Sequence, residues 1–192
     1  MANKTNPGGQ IYQIKVSLLH TRPPIWRRLL VPANISLAAL HAVLQIAFDW
    51  QDCHLHEFRI GRQRYGPLDI FEDGDNEGLL DESKFCLRDL VKKVGDKILY
   101  NYDFGDDWQH SITLEKILAA EPGVKYPNCT GGKNQAPPED SGGIPGFYNL
   151  LEAISDPDHA EHEDFHEWLG RDFDPQAFSK DEINRRLREI FR

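Results

Sequence analysis

Hydrophobic and polar residues alternate from Ile11 to Leu19, placing Tyr12, Ile14, Val16 and Leu18 on one side of a strand. After Thr-Arg-Pro-Pro, the stretch Ile25–Val31 reads as a second strand that Pro32 ends. The period then changes. Ser36 is a good N-cap, and Leu37, Leu40, Leu44, Ala47 and Phe48 form the buried stripe of a helix over 36–48, with His41 at its border. His54–Ile60 predicts a third strand, and Cys86–Val94 a short helix that Gly95 stops.

Ile98–Ile117 predicts a hairpin. Ile98, Tyr100, Tyr102 and Phe104 alternate on its first strand, and Trp108, His110, Ile112 and Leu114 on its second. Sharing one apolar face gives a register with Phe104 opposite Trp108, Tyr102 opposite His110, Lys97 opposite Glu115 and Asp103 opposite Gln109. Gly105, Asp106 and Asp107 then make a three-residue turn. In the last third, Phe147–Ile154 predicts one helix and Asp156-Pro157 starts a second reaching Leu169. Ser179 and Glu182 form a capping box for a third, whose stripe is Ile183, Leu187, Ile190 and Phe191.

Strand, strand, helix, strand, then a hairpin and helices predict an α+β fold. It is a β-grasp or roll-like mixed sheet with a crossing helix, an added hairpin and C-terminal helices. Residues 1–10 read as a flexible tail and 11–192 as one domain. Residues 67–82 hold seven acids and no base and predict an exposed loop. Residues 121–146 lack periodicity and predict a long, ordered, Pro- and Gly-rich excursion.

Charge narrows the function classes. Acids outnumber bases 31 to 22, a net −9, which argues against a mainly electrostatic DNA-binding surface. No apolar run is long enough to span a bilayer. Three widely spaced cysteines with no zinc-like spacing fit reduced thiols in the cytoplasm. With no P-loop or G-x-G-x-x-G motif, neither a cofactor nor catalysis is expected.

Several groups of side chains still carry chemistry. Asp103, Asp106, Asp107 and His110 crowd the hairpin, and Glu139 and Asp140 stand in a second Gly- and Pro-framed loop. Carboxylates from two such loops suit a divalent cation or acid–base work if they meet; turn chemistry and helix capping are the structural alternatives. His54 and His56 are two apart on a strand and would point the same way. His159, His162 and His166 cover roughly 60° of a helix. Both sets have metal-like spacing, yet a core-edge position for the first and a solvated acidic face for the second explain them, so no metal is expected. Arg27, Arg28, Arg59, Arg62 and Arg64, beside Trp26 and Tyr65, would make a basic and aromatic patch if their strands are neighbours.

Four segments in order, PPIWRR (23–28), HLHEF (54–58), YDFGDDWQH (102–110) and PPEDSGG (137–143), resemble the plasmid pRiA4b ORF-3-like family over about residues 10–190. That resemblance implies a bacterial or archaeal protein, often carried on plasmids or mobile elements, without an established activity. Some relatives carry resolvase-like labels. A serine recombinase needs a Ser nucleophile ringed by arginines, however, and Ser17 has only Lys15 close by. The residue after PPED is often Cys in relatives and is Ser141 here. The leading expectation is a cytoplasmic binding or interaction domain with a protein partner. A metal-dependent hydrolase or nuclease using the acidic loops, and a nucleic-acid-binding accessory protein, are the alternatives.

Overall fold

The computed structural model describes residues 9–68, 78–170 and 172–191. Among the described residues eight strands form one mixed sheet: β1 (Gln10–Leu18), β2 (Trp26–Pro32), β3 (His56–Ile60), β4 (Gln63–Gly66), β5 (Leu79–Asp81), β6 (Lys97–Tyr102), β7 (Trp108–Ala119) and β8 (Asn128–Lys133). Their order is β5-β4-β3-β6-β7-β1-β2-β8, antiparallel except between β4 and β5. Helix α1 (Leu37–Phe48) crosses the sheet, and its expected stripe is buried throughout. Ser36 caps it by accepting a hydrogen bond from the Ala39 amide at 3.1 Å. A four-residue α2 (Leu87–Leu90) follows β5, and α3 (Gly143–Ser155), α4 (His162–Leu169) and α5 (Lys180–Ile190) end the chain. Core residues from α1, α3 and α5 join those of the inner sheet face in one cluster. The expected α+β mixed sheet with a crossing helix, hairpin and C-terminal helices is therefore observed.

The hairpin register differs from expectation by two residues. Tyr102 faces Trp108, Tyr100 faces His110, and Lys97 faces Thr113 rather than Glu115. The cause is Asp103, which leaves the strand at φ +55°. Its Oδ1 accepts from the amides of Gly105 at 2.9 Å and Asp106 at 3.3 Å, and its carbonyl accepts from the Asp107 amide at 2.7 Å. Asp103 thus builds a five-residue turn, and Phe104 points outward, 40 % exposed. Apart from Phe104, the two-residue shift keeps the same side chains on the inner face, which is why alternation alone does not reveal it.

Three strands lie outside the expected set. β4 and β5 are short, and β8 is the Gly-rich NCTGGK within the long excursion, where no strand was expected. Of the expected acidic loop, 69–77 lies outside the described residues, as do residues 1–8 of the expected tail. The Cys86–Val94 helix shrinks to four residues, and α4 starts at His162 because Asp156 instead closes a turn onto the Asp158 amide at 3.0 Å. The β8 edge is covered by α5: Asn184 accepts from the Cys129 amide at 2.7 Å and donates to its carbonyl at 2.9 Å.

Candidate functional site

The loop after α1 and the start of β3 bring the histidines and acids together. Asp49, the C-cap of α1, and Asp52 both take left-handed backbone conformations, turning 49–55 back across the sheet end. Trp50 stacks on Tyr102 with ring centroids 4.9 Å apart and donates from Nε1 to the Pro137 carbonyl at 3.0 Å. That bond ties the PPEDSGG loop to the hairpin. The hairpin tip meets the same loop, as the Gly142 amide donates to Asp106 Oδ2 at 3.0 Å.

Gly143 sits at φ +66°, and a Cβ there would stand 2.6 Å from the Asp106 carbonyl oxygen. Gly143→Ala is therefore expected to cost about 1–3 kcal/mol. Urea unfolding checks this against Gly123→Ala, which carries a similar positive φ (+79°) but meets nothing within 4 Å. Equal losses in the two variants would remove the clash as the cause.

Around His54 three carboxylates converge. Its Nε2 lies 3.0 Å from Asp140 Oδ1, 3.7 Å from Asp103 Oδ2 and 4.0 Å from Glu139 Oε2. Although the Asp140 contact is short, it is misaligned for a hydrogen bond, and the buried Nε2 has no hydrogen-bond partner. Glu139 is held from the other side: its Oε1 accepts from the Tyr102 hydroxyl at 2.9 Å and the Gln51 amide at 2.7 Å. Its Oε2 is buried and bare.

Next to this cluster, His41 and His56 stack with ring centroids 3.4 Å apart and planes 5° from parallel. His56 Nε2 pairs with Glu82 Oε2 at 2.9 Å. His41 belongs to a closed ring of hydrogen bonds. The Asp52 amide donates to Gln45 Oε1 (2.9 Å), and Gln45 Nε2 donates to Tyr100 Oη (3.1 Å). Tyr100 Oη then meets His41 Nδ1 (2.8 Å), and His41 Nε2 meets Asp52 Oδ1 (2.7 Å). A backbone N–H can only donate, so the ring runs in one sense and leaves the His41 proton on Nε2. Burial, and secondarily the neighbouring His56, lowers the His41 pKa, opposed by Asp52.

The remaining candidates stand apart. Asp107 accepts from Asn101 at 2.9 Å and Gln109 at 2.7 Å. His110 is wholly buried against Phe48 and Trp50. Its neighbour across the hairpin is Tyr100, not the expected Tyr102. Asp140 does not cap α3, whose N-cap is Gly142. On α4 His162 bonds the Ala153 carbonyl at 2.8 Å, and in the turn before that helix His159 accepts from the Glu161 amide.

The arginines do not converge. Strands β6, β7 and β1 separate β2 from β3, putting them about 19 Å apart at the usual strand spacing. Arg27 points inward. Arg28 makes a two-point ion pair with Glu115 at 2.6 and 3.0 Å. Arg59 and Arg64 both grip buried Glu57, and Arg62 is exposed in the β3–β4 turn.

Asp52, Glu82 and the His41–Gln45–Tyr100 contacts were not singled out from sequence. One signal exists: His41 and Gln45 are polar residues four apart beside an apolar helical stripe, a spacing that shares a helix face. Glu82 reaches His56 only because Leu37 and Leu87 amides bond Phe85 and Ile35 carbonyls, docking that turn on α1.

Together these side chains line an open groove of about 620 Å³, bounded by His41, Asp52, His54, His56, Glu82 and Pro67. An α+β domain with a mixed eight-stranded sheet and a histidine–carboxylate groove at one end is the class that fold and site define. The chain belongs to the plasmid pRiA4b ORF-3-like family, whose model matches residues 10–182. It is 37% identical over 182 residues to the uncharacterized protein y4hQ of Sinorhizobium fredii (strain NBRC 101917 / NGR234), covering 94% of this chain and 92% of that one. The crystal structure of a protein of unknown function, MM3350 from Methanosarcina mazei Go1, is similar at a TM-score of 0.81 and 40% identity, covering 90% of this chain and 97% of that one. No helix among the described residues is long and apolar enough to cross a membrane.

Proposed function

We propose that the chain is a cytoplasmic binding domain, associated with mobile elements as its family name suggests, whose groove takes cationic groups from a basic segment of a protein partner. The observation that carries this is the groove's lining. Asp52 and Glu82 stand among three histidines, with no Lys or Arg among the described lining residues. Asp103 and Asp140 lie behind His54 in a chain of net charge −9. Such a surface attracts amines and guanidinium groups and repels phosphate.

Binding is favoured over catalysis because, among the described residues, no activated nucleophile faces the groove. Burial raises the Cys53 thiol pKa, and burial with the Glu139 hydrogen bond raises that of Tyr102. Ser141 is buried and spends its hydroxyl on the Pro138 carbonyl at 2.9 Å. Of the residues a hydrolase would use, Asp103, Glu139 and Asp140 converge, while Asp107 and His110 do not. The separated arginines likewise leave the nucleic-acid reading without a patch.

Calorimetry with Lys/Arg-rich peptides in EDTA is the test. We expect micromolar binding that weakens with salt, falls at least tenfold in the Asp52→Asn/Asp140→Asn double variant, and has no counterpart with duplex DNA. Absence of peptide binding at low salt would refute the reading.

A further inference from the structure

We propose that His54, Asp103, Glu139 and Asp140 form a binding site for one divalent first-row metal ion, of the Mn²⁺ to Zn²⁺ class, at the inner end of the groove. Donor atoms around a single ion bonded at about 2.0–2.2 Å stand about 3–4 Å apart. The ligand atoms of His54, Asp103 and Asp140 already lie within 4.8 Å of one another, as do those of Cys53, His54 and Glu139. The imidazole is 3.0, 3.7 and 4.0 Å from the three carboxylates. The two triads share the His54 imidazole, which links Glu139 to Asp103 and Asp140.

A separate observation says that something belongs there. The Glu139 side chain is only 9 % exposed, and its buried Oε2 has no hydrogen-bond partner while facing His54. A desolvated carboxylate oxygen without a partner is costly, and a cation relieves that cost directly. His54 Nε2 is in the same condition. Moreover, one imidazole cannot balance three carboxylates gathered within 4 Å of it.

The supporting contacts have the character of an outer ligand shell. Tyr102 and the Gln51 amide hold Glu139 Oε1, leaving Oε2 to point inward. The Gly105 and Asp106 amides hold Asp103 Oδ1, leaving Oδ2 toward His54. One oxygen of Glu139 and one of Asp103 are thus tied by donors and the other presented, as in metal sites where neighbours orient the ligands. The imidazole selects a borderline ion over Mg²⁺ or Ca²⁺, which prefer oxygen donors alone. The stacked His41 is a poorer ligand. Metal on its Nε2 would put the ring proton on Nδ1, leaving the buried Tyr100 hydroxyl proton without its acceptor.

EDTA-stripped full-length protein titrated with MnCl₂ or ZnCl₂ tests the site, by calorimetry and by melting temperature. We expect one equivalent to bind and the Tm to rise with ion concentration. His54→Ala should weaken binding about 100-fold and Glu139→Gln at least tenfold, while His159→Ala/His166→Ala leaves it unchanged. Should His54→Ala fail to fold by circular dichroism, Glu139→Gln decides. No saturable one-equivalent binding, or affinity in the folded variant within twofold of the parent, overturns the proposal. The site shares the groove of the peptide-binding reading. Because peptide binding is measured in EDTA, failure of either one leaves the other standing.

Discussion

Arg27→Ala is expected to lower the unfolding free energy by about 3–5 kcal/mol. Arg27 is 4 % exposed, and its guanidinium works as an internal clamp. Nε donates to the Ala47 carbonyl at 2.7 Å, where the last turn of α1 leaves its carbonyls unpaired. Nη1 donates to the Trp26 carbonyl at 2.9 Å and the Lys133 carbonyl at 3.1 Å, tying β2 to β8. The group lies 5.1 Å from the ring centroids of both Phe48 and Phe178. Desolvation pulls its pKa down to about 10, so it is still charged at neutral pH. Truncation strands three carbonyls and opens a void between two rings, whereas Arg27→Lys keeps the charge but loses the fork that reaches several acceptors. Urea denaturation followed by circular dichroism measures both variants. A loss under about 1 kcal/mol for the alanine variant would mean that water replaces the clamp.

The second large effect is acid sensitivity. His110 is fully buried, and desolvation drives its pKa down to about 3, against about 6.5 in an unfolded chain. Above pH 6.5 neither state takes the proton. Below it the unfolded state does and the native state does not, so stability falls as pH falls until the native group titrates near pH 3. The slope is about 1.4 kcal/mol per pH unit, or about 2–3 kcal/mol between pH 6 and pH 4. The lowered pKa of His41 acts with the same sign. In His110→Leu, which also removes a buried Nε2 lacking any partner, that part of the slope should vanish. Unfolding curves of both proteins at pH 4, 5, 6 and 7 make the comparison, and parallel pH profiles would sink the assignment.

These two residues also show what a sequence reveals and what it conceals. The alternation in β1 and β2, the stripe of α1 and the caps of α1 and α5 are local patterns, and each forms where local physics puts it. His110 lies on the inner face that its period requires. The facing of Arg27 was equally readable, since it alternates with buried Leu29 and Val31 on β2, but the cluster of arginines suggested a surface instead. Strand β8 stayed hidden because Gly131 and Gly132 have no side chain to alternate; Gly132 lies against the Phe178 ring. The hairpin slipped by two because a turn aspartate, rather than the apolar face, fixes its length. At the groove, Asp103, Glu139 and Asp140 were visible as acids in turns, and His54 as a polar residue entering a strand. Their meeting was not visible, because it depends on Trp50 pinning one loop and Asp106 holding another across more than thirty residues of chain.

The amide of Asn184 has a consequence for how this molecule behaves among its own copies. An outer strand with free N–H and C=O groups is a template on which another chain can lengthen the sheet. At Cys129 both groups are already taken by one side chain from α5, so an incoming strand finds that step of the β8 edge filled. At the far edge β5 is only three residues long, too short to hold a partner in register. A sheet of eight strands is thus kept from growing by one well-placed carboxamide on one side and by brevity on the other.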